Sequence, residues 1–202
     1  MLQRTEEWHL ARLAKVTASR VYDVVKKGSS GYLKARENYM SELLCERLSG
    51  EPYQTITTPF MQRGIDKEPL ARSFYENITG VMVLETGFVN HPLIKGFGAS
   101  PDGLVSHDGL IEIKCPNTAQ HITFIRTGKI DPRYEYQMLA QLDCTGRKWC
   151  DFVSFDDRLP ENLVIKIKRF YRDDEKIKEM ESEIVAFLNE LDCLEKQIRE
   201  AS

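Results

Sequence analysis

The sequence predicts an α/β (α+β) fold: one domain over residues 1–202, with a mixed central sheet flanked by helices. Three observations carry this. Short stretches rich in β-branched residues alternate in polarity through the middle of the chain, helical apolar spacing lies on either side of them, and a long amphipathic helix occupies 172–202. No internal repeat or biased tract interrupts the pattern. At 202 residues, 42% hydrophobic and 29% charged, the chain has apolar material for one substantial core. No apolar run approaches membrane-spanning length and residues 1–7 lack the apolar segment of a signal peptide, so a cytoplasmic location is expected. Five scattered cysteines without a C-x-x-C pair argue for reduced thiols and against a zinc or iron–sulfur centre.

In chain order, residues 5–13 read as a short helix anchored by Trp8, Leu10 and Leu13. Val16-Thr17-Ala18-Ser19 follows, then a helix over 20–27 with Val21, Val24 and Val25 at helical spacing and Thr17 as its N-cap. Ser19 then falls in a first turn, where free N–H groups favour an anion, and Arg12 can close on the same point. A plain cap and a surface arginine are the competing reading. Residues 26–31 form a flexible basic loop, either solvated or touching phosphate. A helix over 32–48 turns Leu33, Tyr39, Met40, Leu43, Leu44 and Leu48 inward. The next helix starts at Thr57-Thr58-Pro59 and runs to about residue 77, with Phe60, Met61, Ile65, Leu70, Phe74 and Tyr75 as its apolar set. Pro69 removes a backbone donor and predicts a kink or break near Glu68. Glu68 faces a cleft or, on the plainer reading of a helix glutamate, solvent.

Residues 81–85 and 87–90 look like a pair of strands, and 96–100 leads into the central motif. There Pro101-Asp102-Gly103 is a turn, 104–106 a strand, His107-Asp108-Gly109 a second turn and 110–115 a strand. The resulting hairpin returns Asp102 toward Glu112, while Glu112 and Lys114, two apart on a strand, share one face. Helices over 118–127 and 131–144 come next, the second carrying Tyr134, Gln137 and Gln141, and strands 148–155 and 163–168 close the sheet. In 172–202, Ile177, Met180, Ile184, Phe187, Leu191, Leu194 and Ile198 recur at alternating steps of four and three. Packing on the parent domain explains that seam more simply than a zipper, and a subunit contact stays open.

Two clustered carboxylates repel unless a cation sits between them or one is protonated. Their hard oxygens suit Mg²⁺ or Mn²⁺, and a lysine alongside can orient a water and steady charge growing on a phosphodiester. Other chemistries lack support: there is no P-loop, G-x-G-x-x-G, H-E-x-x-H or G-x-S-x-G, and His9, His91, His107 and His121 do not cluster in sequence. The net charge of −3 means that a nucleic acid would be held in a restricted channel lined by some of the 28 cations, not on a broad basic face.

Asp102, Glu112 and Lys114 match the PD-(D/E)XK nuclease pattern, which an amphipathic hairpin with a surface ion pair would also produce. Further segments narrow it. Trp8 to Arg12, Val16 to Ser19, Gly64 with Glu68 and Arg72, Ser100-Pro101-Asp102-Gly103, the strand from Leu110 to Pro116, Tyr134 with Gln137, and Phe152 to Arg158 occur in one order at compatible spacings. Together they resemble the phage lambda exonuclease group of YqaJ-type viral recombinases.

The resemblance implies a restriction-endonuclease-like PD-(D/E)XK core and a metal-dependent 5′→3′ exonuclease on linear double-stranded DNA. It also implies release of mononucleotides, a 3′ overhang for a single-strand annealing partner, a ring-shaped homotrimer, and a phage or prophage origin in a bacterial host. By position it assigns Asp102, Glu112 and the Ile113 carbonyl to the metal, with Glu68 a further ligand for a second ion. Lys114 and Gln137 lie near the attacking water, Arg12, Ser19 and Ser100 hold the 5′-phosphate, and Met61 is the wedge at the DNA end. The basic loop departs from the family's more arginine-bearing version. An internally cutting endonuclease on the same core, and an inactive DNA-binding protein, are the alternatives.

Overall fold

The computed structural model describes residues 3–29, 31–54 and 57–201; Met1, Leu2, Ser30 of the predicted basic loop and Ser202, the last residue of the predicted long helix, lie outside them. The elements begin with α1 (Glu6–Arg12), β1 (Val16–Thr17), a 3-10 turn (Ala18–Arg20), α2 (Val21–Val25), β2 (Lys27–Gly28), β3 (Gly31–Tyr32), α3 (Lys34–Ser49) and α4 (Pro59–Thr79). Next come β4 (Val83–Leu84), β5 (Val89–Asn90), β6 (Phe97–Ala99), β7 (Gly103–Val105) and β8 (Gly109–Lys114). The chain closes with α5 (Thr118–Thr127), α6 (Pro132–Thr145), β9 (Trp149–Phe155), a 3-10 turn (Glu161–Leu163), β10 (Ile165–Tyr171) and α7 (Asp174–Glu200).

The predicted mixed sheet is five-stranded, in the order β10-β9-β8-β7-β4. Only β8 and β9 pair in parallel, as a connection through two helices allows; the other neighbours are antiparallel. Both faces of β8 are covered. Ile111 and Ile113 pack with Val153, Phe155 and the α4 residues Ala71 and Tyr75 on one side. Leu110 packs with Phe152, Cys150 and the α6 residues Met138 and Leu142 on the other. The opposite flank of α6, Leu139, Ala140 and Cys144, joins a separate core with α2, α3 and α7. Every residue from Gln137 to Cys144 is therefore buried, and α6 is a middle layer that brings its polar side chains against the sheet.

Several local expectations change. The helix predicted over 20–27 is a 3-10 turn followed by the five residues of α2, and Thr17 makes no capping hydrogen bond. Thr17 belongs to β1, which pairs in parallel with β6 and fixes its backbone as strand. Residues 81–85 and 87–90 do not pair with each other: β4 joins β7, and β5 joins β6 in a second, three-stranded sheet. The basic loop is a two-stranded ribbon, β2 with β3, whose Lys27 is held by Glu183 of α7 at 2.7 Å.

The long fourth helix runs unbroken through Pro69, started by a Thr58 side-chain cap and ended by Gly80 in a left-handed conformation. Phe60, Met61 and Leu70 are exposed, so the inward set on α4 reduces to Ala71 and Tyr75 with partial cover of Ile65 and Phe74. Leu33 and Leu48 are likewise exposed. The α7 seam is buried from Ile177 to Leu191, which supports packing on the parent domain, whereas Leu194 and Ile198 are exposed. The five cysteines are free, and among the described residues no helix is long and apolar enough to cross a membrane.

Candidate active site

The β7–β8 hairpin delivers the predicted carboxylates to one point. Leu110, Glu112 and Lys114 face α6 while Ile111 and Ile113 face α4, as the two-residue strand period requires. Asp102, in the turn before β7, accepts a 2.7 Å hydrogen bond from the Ile113 amide. That bond ties the first arm of the hairpin to the second between Glu112 and Lys114. Gly103 lets β4 lie close against this turn, because a Cβ there would lie 2.2 Å from Val83 Cγ1.

Glu112 has no exposed surface. Its Oε2 accepts from the Gln141 amide at 2.6 Å, and its Oε1 forms an ion pair with the Lys114 ammonium without good hydrogen-bond geometry. The lysine nitrogen also sits 5.0 Å from the centre of the Tyr134 ring. Burial pushes the Asp102 carboxyl well above the usual range; Glu112 and Glu68 push the same way, against Lys114. The Lys114 ammonium is held above its ordinary value, since attraction to Glu112 and Asp102 outweighs its desolvation. Negative charge is thus in excess at this point, and an added cation would relieve it.

The position of α4 is set by buried polar anchors. Tyr75 donates to Asp151 of β9 at 2.8 Å, and Arg63 donates to Asp156 at 3.0 Å. Asp156, fully buried, also accepts from Thr118 and Arg158, which hold its carboxyl below the ordinary range despite burial. With α4 so fixed, Glu68 enters the site with 13% of its side chain exposed, not solvated as the plainer reading had it. Its Oε1 accepts from Arg72 at 3.0 Å, and its Oε2 pairs with Arg4.

A second polar group forms beside the first. Ser100 accepts from the Trp8 indole at 2.9 Å and from Arg12 at 3.2 Å, while the Arg12 guanidinium stacks 4.1 Å above the Trp8 ring. Burial lowers the Arg12 pKa. Ser19 lines the same wall, its hydroxyl 3.5 Å from that of Thr17. With α2 only five residues long, what Ser19 presents here is its hydroxyl and not a helix terminus.

One cleft of about 560 Å³ unites these groups. Arg12, Ser19, Met61, Glu68, Ser100, Asp102, Glu112, Ile113, Lys114 and Gln137 all line it, so every residue singled out from the sequence lies on one concave surface. Phe60 and Met61 project at its edge, 73% and 54% exposed. Sequence reasoning missed three contributors. Gln3 and Arg4 lie outside any periodic segment, and Gln141 was noted only as a position on α6; its signal was the spacing of four from Gln137, which places both on one helix face.

The donors at Asp102, Glu112 and Glu68 are hard carboxylate oxygens, and Glu112 Oε1 is buried without a hydrogen-bond partner. This set fits Mg²⁺ or Mn²⁺. A different trio, His91, Asp143 and Glu181, brings ligand atoms within 4.8 Å of one another. There His91 Nδ1 accepts from the Leu93 and Ile94 amides, so the proton must sit on Nε2, which faces both carboxylates. Neither ring nitrogen has a lone pair left for a metal, and the trio is a structural clasp.

Comparison with known proteins gives a consistent picture. Residues 7–148 match the model of the YqaJ-like viral recombinase domain. The alkaline exonuclease LHK-Exo from Laribacter hongkongensis, solved alone and in complex with dAMP, is 53% identical over 98% of this chain and 97% of its own, with a TM-score of 0.91. A phage-related exonuclease from Haemophilus somnus 129PT shares the fold at 17% identity, with a TM-score of 0.71 over 93% of this chain and 96% of that one. No curated protein sequence matches.

Proposed function

The chain belongs to the YqaJ-like viral recombinase family, and on that premise we propose that it is a metal-dependent 5′→3′ exonuclease acting on the ends of linear double-stranded DNA. The observation that carries the reading is the junction of two sites in one cleft: the carboxylate–lysine group of Asp102, Glu112 and Lys114, and the Arg12–Ser100 pair. The first suits hydrolysis of a phosphodiester, and the second suits a terminal phosphate. An enzyme that grips the end phosphate in a fixed place presents a fixed bond to the hydrolytic group, which gives both polarity and a mononucleotide product. The dAMP bound to LHK-Exo is a nucleotide of that kind.

In this reading Asp102, Glu112 and the Ile113 carbonyl hold a first Mg²⁺ or Mn²⁺, and Glu68 contributes to a second. Bound there, divalent ions supply an ionisable water and charge neutralisation at the scissile phosphate. The chain's own groups do the rest. Gln141 holds the Glu112 carboxylate in one plane, Lys114 and Gln137 orient the water, and Arg12, Ser19 and Ser100 seat the 5′-phosphate. Met61, with Phe60 beside it, offers an apolar edge to part the terminal base pair.

The product strand with its 3′ overhang passes to a single-strand annealing partner, and three chains form a ring around the duplex. A ring reconciles the net charge of −3 with DNA binding, since cations are then needed only on the inner wall. Action inside a bacterial host, from a phage or prophage gene, follows from the same family reading.

Digestion of linear duplexes labelled at either end, 5′-phosphorylated or not, with Mg²⁺ present or chelated, tests this. Early release of the 5′ label from phosphorylated ends, only with Mg²⁺, is expected. Early loss of the 3′ label would overturn the polarity, and cleavage of a closed circle would favour the endonuclease alternative.

A further inference from the structure

We infer that Arg4 is a cation stand-in at Glu68, displaced when a divalent ion takes that carboxylate and then released to the substrate phosphate. The inference rests on the nuclease reading and goes beyond it by giving the N-terminal segment a task.

Both Glu68 oxygens are engaged by guanidinium groups, Oε1 by Arg72 and Oε2 by Arg4. A metal ion at Glu68 would compete with these two guanidinium groups for the same oxygens and repel both. The two arginines are not equally held. Arg72 is one turn along α4 from Glu68, is only 12% exposed and pairs with Glu85 through its other nitrogen. Arg4 is 43% exposed and lies ahead of α1. Its φ of 66° is in the left-handed region, which a non-glycine residue occupies only at a cost. Arg4 is therefore the partner that can leave.

Gln3 keeps the segment in place while Arg4 changes partner. Its amide donates to the Pro101 carbonyl at 2.7 Å, next to Asp102, and to the Thr86 carbonyl at 3.2 Å. With the backbone pinned there, Arg4 remains a wall of the cleft after letting go of Glu68. The anion then within its reach is the phosphodiester of the substrate. Arg4 thus neutralises Glu68 before metal and DNA arrive, and afterwards it becomes a phosphate ligand.

Calorimetric titration of Mn²⁺ into the metal-free full chain, without DNA, tests the competition. Arg4→Gly suits a φ of 66° without strain, and Arg4→Gln checks that the result does not depend on glycine. Removing an exposed competitor should tighten the weaker Mn²⁺ site by about two- to fivefold. The same substitution in a Glu68→Gln background should change nothing. In Ca²⁺, both Arg4 variants should bind a 5′-phosphorylated duplex more weakly by fluorescence anisotropy. Unchanged or weakened Mn²⁺ binding in both variants would overturn the inference, as would a gain that persists with Glu68→Gln or an unaltered duplex affinity. A parent protein that binds no Mn²⁺ at all would instead overturn the nuclease reading.

Discussion

Gln141 donates its side-chain amide to Glu112 Oε2 at 2.6 Å, and neither residue has exposed surface. The geometry leaves Gln141 Oε1 buried without a partner, a cost that folding alone does not require. The return is an oriented Glu112. Gln141→Leu removes the unpartnered oxygen together with the hydrogen bond at similar volume, whereas Gln141→Ala also opens a cavity. In urea denaturation the leucine variant should hold its stability better than the alanine variant, which loses about 1–3 kcal/mol. Both should lose Mn²⁺ affinity by about 10- to 100-fold, the usual effect of removing a group that orients a ligand. Parental Mn²⁺ affinity in Gln141→Leu would remove the positioning role.

Lys114 is the cation placed directly against Glu112 and lies along the cleft from Asp102. Lys114→Ala should lower turnover by about 10²- to 10⁴-fold while duplex binding in Ca²⁺ stays near the parent value. Single-turnover digestion with a parallel binding curve separates the two. A matched fall in binding and rate would make Lys114 a DNA contact and not a group acting on the water.

Asp102 sets a pH dependence whose sign can be worked out. Burial first, then Glu112, raises its folded pKa above the unfolded value of about 3.9, so folding favours the protonated form. Its contribution is most favourable at pH below the unfolded pKa. The metal-free protein then loses stability as pH climbs from there through the raised folded pKa, and the penalty stays in place above it. A cation bound beside the carboxylate cancels that penalty. Melting temperature should consequently rise more with Mg²⁺ at pH 8 than at pH 5, and Asp102→Asn should abolish the difference. Equal Mg²⁺ shifts at the two pH values, or a difference that survives Asp102→Asn, would refute this account.

The hairpin of β7 and β8 was legible because its signals are local: two turn tripeptides, a two-residue alternation, and chemistry confined to Asp102, Glu112 and Lys114. The helix read over 118–127 likewise matches α5 at both ends. What sequence could not supply was partner choice. The stretches at 81–85 and 87–90 have strand character, yet nothing in them says that β4 belongs to β7 and β5 to β6. Apolar residues on α4 also misled, because helical spacing marks a face without saying what covers it; Phe60 and Met61 line the cleft instead of the core. Arg4 was invisible for the opposite reason. A lone arginine before a helix carries no periodic signal, and only the fold brings it to a glutamate on α4.

Ser100 receives both the Trp8 indole N–H and the Arg12 guanidinium, so its hydroxyl proton is free to point into the cleft. A terminal phosphate would accept that proton and would also attract Arg12, whose lowered pKa reflects burial without a carboxylate hydrogen-bonded to it. Ser100→Ala removes one donor and leaves the charge; Arg12→Gln removes the charge and keeps a donor. Both should narrow the ratio of digestion rates for 5′-phosphorylated over 5′-hydroxyl ends, with Arg12→Gln the larger effect because charge-assisted bonds are the stronger kind. Neither should alter the rate on 5′-hydroxyl ends by more than about threefold, the scale of a single neutral hydrogen bond. A ratio unchanged in both variants would move the end-phosphate site elsewhere in the cleft.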